Sequence, residues 1–195
     1  MNKTDSLFRQ LGATNHSPGE REENDFYATD PKAIDDLLNK ISFDKNIWEP
    51  ACGQGHLSQR LKEHGYSVFS TDIIDRGYSD DNLDFLMCWE DWDGDIITNP
   101  PYKLCTEFVL KALDLIGPGH KVAMFFKIQF LEGQDRYEKI FKNYPPKYIY
   151  IYIYSRRIQC AKNGNFSEFS SSAICYAWFV WEKGYQGKPE IDWIN

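Results

Sequence analysis

The chain has 195 residues, a formal net charge of −7 and an aromatic content of 16%. A chain of this length is typical of one domain with a substantial core. It has no apolar run of about 18 residues, so we predict no membrane span. The polar start from Met1 to Asp5 leads into no apolar signal segment, so we expect a cytoplasmic protein. The five cysteines are scattered without a CxxC pair, so we predict neither a disulfide framework nor a metal site.

Acidic and basic side chains are unevenly distributed along the chain. Residues 1–100 carry 9 basic and 20 acidic side chains, whereas residues 101–195 carry 13 basic and 9 acidic ones. A basic half can face phosphate groups even when the whole protein is acidic. Ordinary solvated charge without a partner explains the same asymmetry about equally well.

Strands and helices alternate along the sequence. Residues 1–25 are polar and are expected to form a flexible arm ahead of one domain over residues 26–195. Apolar residues at helical spacing predict helices at about 31–41, through Leu57 and Leu61 up to Gly65, at 105–116 and at 131–142. Short apolar runs predict strands at 46–50, 67–72, 83–88, 95–99, 121–127, 147–154 and 173–181.

This order of elements predicts an α/β fold with a doubly wound, Rossmann-like sheet that is mostly parallel. No helical pattern separates the last two strands, so they are expected to be antiparallel neighbours. The insertion that joins them, residues 155–172, is far longer than a usual hairpin loop of about 2–5 residues. Insertions of this length are often functional, which makes this segment a candidate for substrate contact.

A glycine-containing loop follows the first predicted strand. Gly53 and Gly55 belong to the pattern G-x-G-x-x-S, which lacks the third glycine of a dinucleotide-binding fingerprint. A tight turn without a ligand is an equally good explanation of the glycines alone. Glu49, just before them, suits a ligand with an ammonium or sulfonium group and would repel a pyrophosphate, which argues against a nicotinamide dehydrogenase.

Three further residues could contact a nucleoside. Asp72 lies about 20 residues beyond the glycines at a predicted strand end, where a carboxylate can accept hydrogen bonds from two ribose hydroxyls. Asp84 could bind the amino group of an adenine, and Phe85 could cover its face. A surface position for Asp72 and core packing for Phe85 are the alternatives, and core packing is the commoner fate of a phenylalanine.

The four residues Asn99, Pro100, Pro101 and Tyr102 follow a buried strand. The side-chain oxygen of Asn99 and the carbonyl of Pro100 could accept hydrogen bonds from both protons of a planar amino group. A fixed pair of acceptors would favour a tetrahedral nitrogen whose lone pair can attack a methyl group. Tyr102 could stack on the ring that carries the amino group. The alternative is a turn in which Asn99 caps the next helix.

Together these segments resemble a known family. The segment 49–55 (EPACGQG) is similar to motif I of class I S-adenosylmethionine-dependent methyltransferases. Asn99 to Tyr102 resembles motif IV of members that methylate exocyclic or amide nitrogens, and residues 26–31 (FYATDP) resemble motif X of adenine-N6 DNA methyltransferases. The motif order is that of the gamma group, and the C-terminal part is similar to small phage-encoded adenine methyltransferases.

The resemblance implies a seven-stranded sheet with an antiparallel last strand and S-adenosylmethionine as cofactor. It implies methyl transfer to the N6 amino group of adenine in DNA, with Asn99 to Tyr102 acting on the base. The implied cofactor contacts are Thr29, Glu49, Ala51, Gly53, Asp72, Asp84 and Phe85.

DNA is the predicted partner, although the chain has no room for a large target-recognition domain. The insertion combines basic and aromatic side chains, the types that contact phosphates and stack on bases. The candidate contacts are Arg156, Arg157 and Lys162, together with Phe166 and Phe169, and Lys103 and Arg136 outside the insertion. A lid, a dimer contact or a disordered loop explains the insertion about equally well.

Two other functions stay open at this point. The acceptor could be an RNA base or a protein glutamine amide, because the hydrogen-bond geometry of a planar NH₂ group is the same. The chain could also be a DNA-binding or cofactor-binding protein with little turnover. The sequence predicts neither the target site nor the oligomeric state.

Overall fold

The computed structural model describes residues 28–153, 160–161 and 174–194. The predicted arm lies outside these residues, and so does the predicted insertion apart from two positions. The strands are β1 (Ala28–Thr29), β2 (Asn46–Glu49), β3 (Ser67–Asp72), β4 (Asp81–Asn82), β5 (Asp95–Thr98), β6 (Lys121–Lys127), β7 (Tyr148–Tyr152), β8 (Cys160–Ala161), β9 (Tyr176–Glu182) and β10 (Glu190–Ile194).

Eight of these strands form one sheet in the order β10-β7-β9-β6-β5-β2-β3-β4. The strand β9 runs antiparallel to both of its neighbours, and every other pair in the sheet is parallel. The short strands β1 and β8 form a separate antiparallel pair.

Helices cover the sheet on both faces. They are α1 (Lys32–Leu38), α2 (His56–Glu63), α3 (Cys105–Leu115) and α4 (Gln134–Arg136), and α4 continues as a π-helical segment over Tyr137–Phe141. Single 3₁₀ turns lie at Phe85–Met87, Tyr102–Leu104 and Ile128–Leu131. Within the described ranges, no helix has the length and apolar character to cross a bilayer.

The central strand β6 shows why the core has two halves. Its apolar side chains alternate between the two faces of the sheet, as the two-residue period of a strand requires. Val122, Met124 and Phe126 belong to the cluster that packs against α3. Ala123 and Phe125 belong to the cluster that packs against α1 and α2. The nearly continuous apolar run in β6 therefore results from burial on both faces.

The predicted fold class is confirmed, and several details differ. The sheet has eight strands in place of seven, because residues 190–194 add an edge strand that the prediction omits and the two-residue strand β4 takes the place of the strand predicted at 83–88. The predicted strand at 83–88 is wrong. The side chain of Asp84 accepts a hydrogen bond from the backbone N–H of Leu86 at 3.0 Å and caps the 3₁₀ turn at Phe85–Met87. The predicted helix at 131–142 is shorter, since Ile128–Leu131 forms a separate turn before it.

Trp178 in β9 should contribute strongly to stability. The side chain is fully buried, its Nε1–H donates to the carbonyl of Ala33 at 3.0 Å, and its ring packs edge-on against Phe125. We expect Trp178→Ala to lower the free energy of unfolding by roughly 3–5 kcal/mol in urea denaturation. Trp89→Ala is the matched control, because Trp89 is 80% exposed and its loss should change stability by less than about 0.5 kcal/mol. Equal effects of the two substitutions would contradict the described core.

Candidate active site

Three polar residues stand where three neighbouring strands end. Glu49 is the last residue of β2, Asp72 is the last residue of β3, and Asn99 directly follows β5. Because β5, β2 and β3 are adjacent and parallel, their carboxyl ends lie at one edge of the sheet. All three residues line a cavity of about 170 Å³ at this edge.

This cavity gathers most of the residues predicted from the sequence. The four predicted catalytic residues, Asn99 to Tyr102, all line it. Six of the seven predicted cofactor contacts also line it, namely Thr29, Glu49, Ala51, Asp72, Asp84 and Phe85. The seventh, Gly53, does not line the cavity, but its backbone N–H donates a hydrogen bond at 2.8 Å to Asp72, which does. The fold therefore brings the two predicted groups together, and their binding roles stay predictions.

The carboxyl group of Glu49 is buried beside hydroxyl groups. Glu49 is only 2% exposed, and the Ser58 hydroxyl donates a hydrogen bond to its Oε2 atom. The Ser58 hydroxyl also lies 2.8 Å from that of Ser70. Burial raises the pKa of Glu49 to about 8 and outweighs the hydrogen bond from Ser58, which lowers this pKa. Without a ligand, Glu49 is therefore largely protonated at neutral pH.

Asp72 holds the ends of the two neighbouring loops together. Its Oδ2 accepts the bond from the backbone of Gly53, and its Oδ1 accepts from the backbone N–H of Ile74 at 2.9 Å. The guanidinium group of Arg76 lies 3.3 Å from the same Oδ1. The carboxylate is 7% exposed and lines the cavity, so it is buried rather than a free surface group.

The glycine loop between β2 and α2 is shaped by close packing. Both glycines have positive φ angles, 55° at Gly53 and 81° at Gly55. A Cβ atom on Gly55 would come within 2.2 Å of the ring of Tyr78. The second glycine is therefore required by its conformation and by an aromatic neighbour, and contact with a ligand is not needed to explain it.

Asp84 and Phe85 have different surroundings. Asp84 is exposed and caps the turn that follows it. Phe85 is 2% exposed, and its ring packs against Trp48 at 5.2 Å and Phe108 at 5.0 Å between centroids. Phe85 is thus a core residue that also forms part of the cavity wall.

Asn99 is oriented by a contact that the sequence does not indicate. Its side-chain Nδ2 donates to Thr29 Oγ1 at 2.8 Å, which ties β5 to the short strand β1. The alternative in which Asn99 caps the next helix is not observed, because neither the turn at Tyr102–Leu104 nor α3 has a side-chain cap. The hydrogen bond to Thr29 holds the carboxamide in place at the edge of the cavity.

Tyr102 packs beside a lysine from the next strand. The ammonium of Lys127, the last residue of β6, lies 5.2 Å from the centre of the Tyr102 ring, in the range of a cation–π interaction. The Phe126 ring lies 6.4 Å from the same ring. The position of the tyrosine is thus set by residues of β6.

Several residues of the site were not predicted from the sequence, including three polar or charged ones and one exposed apolar one. His56, Ile73 and Arg76 line the cavity, and Lys127 contacts Tyr102. Burial lowers the pKa of His56, which keeps its ring neutral at neutral pH. Ile73 is 64% exposed although it is apolar. Its place directly after the strand-ending Asp72 is a signal that could have identified it.

The predicted nucleic-acid contacts are only partly described. Lys103 is exposed next to Tyr102. Arg136 donates to the backbone carbonyls of Gln129, Phe130 and Glu132 and so holds the turn at Ile128–Leu131. Arg156, Arg157, Lys162, Phe166 and Phe169 lie outside the described residues. In the part of the chain that is described, no cluster of three or more potential metal ligands occurs.

Comparisons with known proteins give structural matches only. No protein-family model matches the chain, and neither does any curated protein. A Listeria monocytogenes protein described as a class I S-adenosylmethionine-dependent methyltransferase matches with 18% identity and a TM-score of 0.56, over 90% of this chain and 67% of that one.

Two further solved structures are similar. TrmN from Thermus thermophilus matches with 15% identity and a TM-score of 0.52, over 78% of this chain and 48% of its own. TehB from Haemophilus influenzae matches with 14% identity and a TM-score of 0.50, over 78% of this chain and 62% of its own. The chain thus has the fold of class I S-adenosylmethionine-dependent methyltransferases, and it spans about half to two thirds of these proteins.

The protonation of Glu49 should make stability depend on pH. The pKa is about 8 in the folded chain and near the ordinary 4.5 in the unfolded one, so the stabilisation is complete below about pH 4.5 and is lost as the pH rises towards 8. This amounts to up to about 4 kcal/mol between pH 5 and 8. Glu49→Gln removes the titration, so its melting temperature should increasingly exceed that of the wild type as pH rises.

Glu63→Gln is the matched control for this comparison, since the Glu63 side chain is 60% exposed at the end of α2, the helix that carries Ser58. Its melting temperature should keep a constant offset from that of the wild type. A constant offset for Glu49→Gln as well would show that Glu49 is ionised in the folded chain.

The packing of Tyr78 on Gly55 can be tested separately from backbone strain. Gly55 and Gly77 have nearly the same φ, 81° and 80°, but a Cβ on Gly77 would meet nothing within 4 Å. Gly77→Ala should therefore lower the unfolding free energy by about 1–2 kcal/mol through strain alone. Gly55→Ala should lower it by roughly a further 1–3 kcal/mol, because the methyl group displaces Tyr78. Chemical denaturation measures both, and equal losses would contradict the close contact.

Proposed function

We propose that this chain is an S-adenosylmethionine-dependent methyltransferase that acts on the N6 amino group of adenine in DNA. The observation that carries the proposal is the meeting of Glu49, Asp72 and Asn99–Tyr102 around one cavity at the carboxyl ends of β2, β3 and β5. The fold of class I methyltransferases supports the same reaction type.

The residues of the cavity fit this cofactor chemically. The buried carboxyl of Glu49 lies next to hydroxyl groups, so a ligand ammonium would give it the cationic partner that a buried carboxylate requires. Asp72 can accept from ribose hydroxyls, and Ile73 and Phe85 supply apolar surface for a purine. When bound, the cofactor supplies an electrophilic methyl group on a sulfonium.

The residues Asn99 to Tyr102 would hold the acceptor. Thr29 orients the carboxamide of Asn99, whose oxygen accepts from one amino proton while the Pro100 carbonyl accepts from the other. Held by these two acceptors, the amino group would turn its nitrogen lone pair towards the methyl group that the bound cofactor would supply, and its surplus proton would pass to water. Tyr102, packed beside Lys127, would cover one face of the base.

DNA is the favoured acceptor for two reasons. The motif X similarity at residues 26–31 is to adenine-N6 DNA methyltransferases, and residues 101–195 have an excess of basic side chains. The target base would have to leave the duplex to reach the cavity. RNA bases and glutamine amides present the same planar NH₂ group and are the alternatives that an assay must separate.

Asn99→Ala should reduce methyl transfer by about 10²–10³-fold, because it removes one of the two acceptors on the amino group. The assay incubates the protein with methyl-labelled cofactor and DNA and detects N6-methyladenine by mass spectrometry. Asn39→Ala is the matched control, since Asn39 is exposed at the end of α1, away from the cavity residues.

Three results would count against parts of the proposal. Label in the RNA or protein fraction of a lysate, with none in DNA, would identify a different acceptor. Normal cofactor binding without transfer to any fraction would favour a binding protein. An unchanged rate in Asn99→Ala would remove this residue from the mechanism.

A further inference from the structure

The strand β10 forms one end of the sheet, and its outer edge has no strand partner among the described residues. The N–H of Glu190 donates to Lys147 O at 2.9 Å, so the backbone groups of Glu190 face β7. Because these groups alternate along a strand, those of Asp192 and Ile194 also face β7, whereas those of Ile191 and Trp193 face outwards.

Apolar side chains accompany the outward backbone groups. Ile191 and Trp193 lie opposite Ile149 and Ile151 of β7, on the same face of the sheet. Their exposed fractions are 55% and 61%, although Ile149 is buried. Ile194, on the other face, is 1% exposed. The edge strand thus exposes apolar surface next to hydrogen-bonding groups that face outwards.

The segment is self-complementary about its middle residue. If two copies of β10 run antiparallel with Asp192 opposite Asp192, each Ile191 lies opposite the Trp193 of the other copy. Ile191 and Trp193 are also the residues whose backbone groups face outwards, so both pairs can exchange N–H···O bonds. Each pair joins a β-branched and an aromatic side chain, a favourable cross-strand combination.

We propose that β10 pairs with β10 of a second copy of this chain, in the antiparallel register centred on Asp192. The result is a twofold-symmetric dimer with one continuous sheet of sixteen strands, twice the eight of one copy. Five strand spacings separate β10 from β2, about 24 Å, so the cavity stays accessible in the dimer.

The charges near the twofold axis are compatible with this pairing. Two Asp192 carboxylates would face each other, which alone is unfavourable. Each is already bound by Lys40 of its own copy at 2.7 Å, and this ion pair lowers the pKa of Asp192. The axis would therefore carry two lysines and two aspartates. The backbone N–H of Trp193 donates to Asp192 Oδ1 at 2.8 Å. In the dimer it would donate instead to the backbone carbonyl of Ile191 in the other copy.

The edge strand also lacks three of the features that usually prevent such pairing. Proteins protect sheet edges with proline, lysine or bulges in the edge strand. The sequence of β10, EIDWI, contains neither proline nor lysine, and all five residues keep regular register with β7.

A cysteine cross-link tests the register. In the proposed dimer the two side chains at position 192 are directly opposite each other in a pair without mutual hydrogen bonds, where Cβ atoms are closest. Asp192→Cys should therefore form a disulfide-linked dimer under mild oxidation. Glu190→Cys, on the same face of the sheet, should not form this disulfide. Position 190 lies opposite position 194 of the other copy, four residues away from the other copy's position 190. The wild type with its five cysteines sets the background. A cross-link in neither variant, or equally in both, overturns the register.

Sedimentation of the wild type over about 1–200 μM tests the dimer itself, since small interfaces are usually weak. Trp193→Lys should raise the dissociation constant about tenfold or more. Trp89→Lys, at another exposed tryptophan, should leave the dissociation constant unchanged. Unchanged unfolding midpoints establish that both variants are folded. A monomer at every concentration overturns the proposal, whether or not residues 1–27 protect the β10 amides from hydrogen exchange. A dimer whose dissociation constant does not change in Trp193→Lys also overturns it.

Discussion

The carboxylate of Asp72 joins the ends of two neighbouring parallel strands, and the site depends on this junction. Asp72 closes β3, yet its Oδ2 accepts the backbone N–H of Gly53 from the loop after β2. The loop that begins at Glu49 is thereby held against the end of β3. Parallel strands bring their carboxyl ends together as a matter of topology, but a hydrogen bond of this kind is needed to fix the loops that follow them.

The burial of the Glu49 carboxyl lowers the stability of the folded chain. An apolar or amide side chain at this fully buried position would avoid the unfavourable desolvation that raises the pKa of the carboxyl. Ser58, whose hydroxyl also lies 2.8 Å from that of Ser70, donates a hydrogen bond to this carboxyl without supplying a positive charge. Buried carboxyls with such a raised pKa concentrate at functional sites, because a ligand of opposite charge recovers the lost stability on binding. The burial that destabilises the Glu49 carboxyl is thus the same feature that would favour a cationic ligand in the cavity.

Sequence reasoning could locate Glu49, Asp72 and Asn99, because a polar residue at the end of an apolar run marks a strand end, and parallel strand ends meet. It could not locate Lys127, and it gave Thr29 only as a cofactor contact implied by the resemblance. The contacts of Lys127 with Tyr102 and of Thr29 with Asn99 were not predictable, since they join segments far apart in sequence. The strand predicted at 83–88 failed because a local cap on Asp84 outweighs the apolar pattern. Strand β10 was omitted because two of its five residues, Glu190 and Asp192, are of types that are depleted in strands.

We propose that S-adenosylmethionine binds in the cavity between Glu49 and Asp72 through the amino acid and ribose groups of the cofactor. Calorimetric titration with S-adenosylhomocysteine and with 5′-methylthioadenosine, which lacks the amino acid part, tests it most directly. We expect the wild type to bind S-adenosylhomocysteine at least about tenfold more tightly than 5′-methylthioadenosine. Glu49→Gln should lose most of this difference, and Glu63→Gln should keep it. No binding of either ligand would show that the cavity is not the cofactor site, and the same difference in Glu49→Gln as in the wild type would show that Glu49 does not bind the amino acid part.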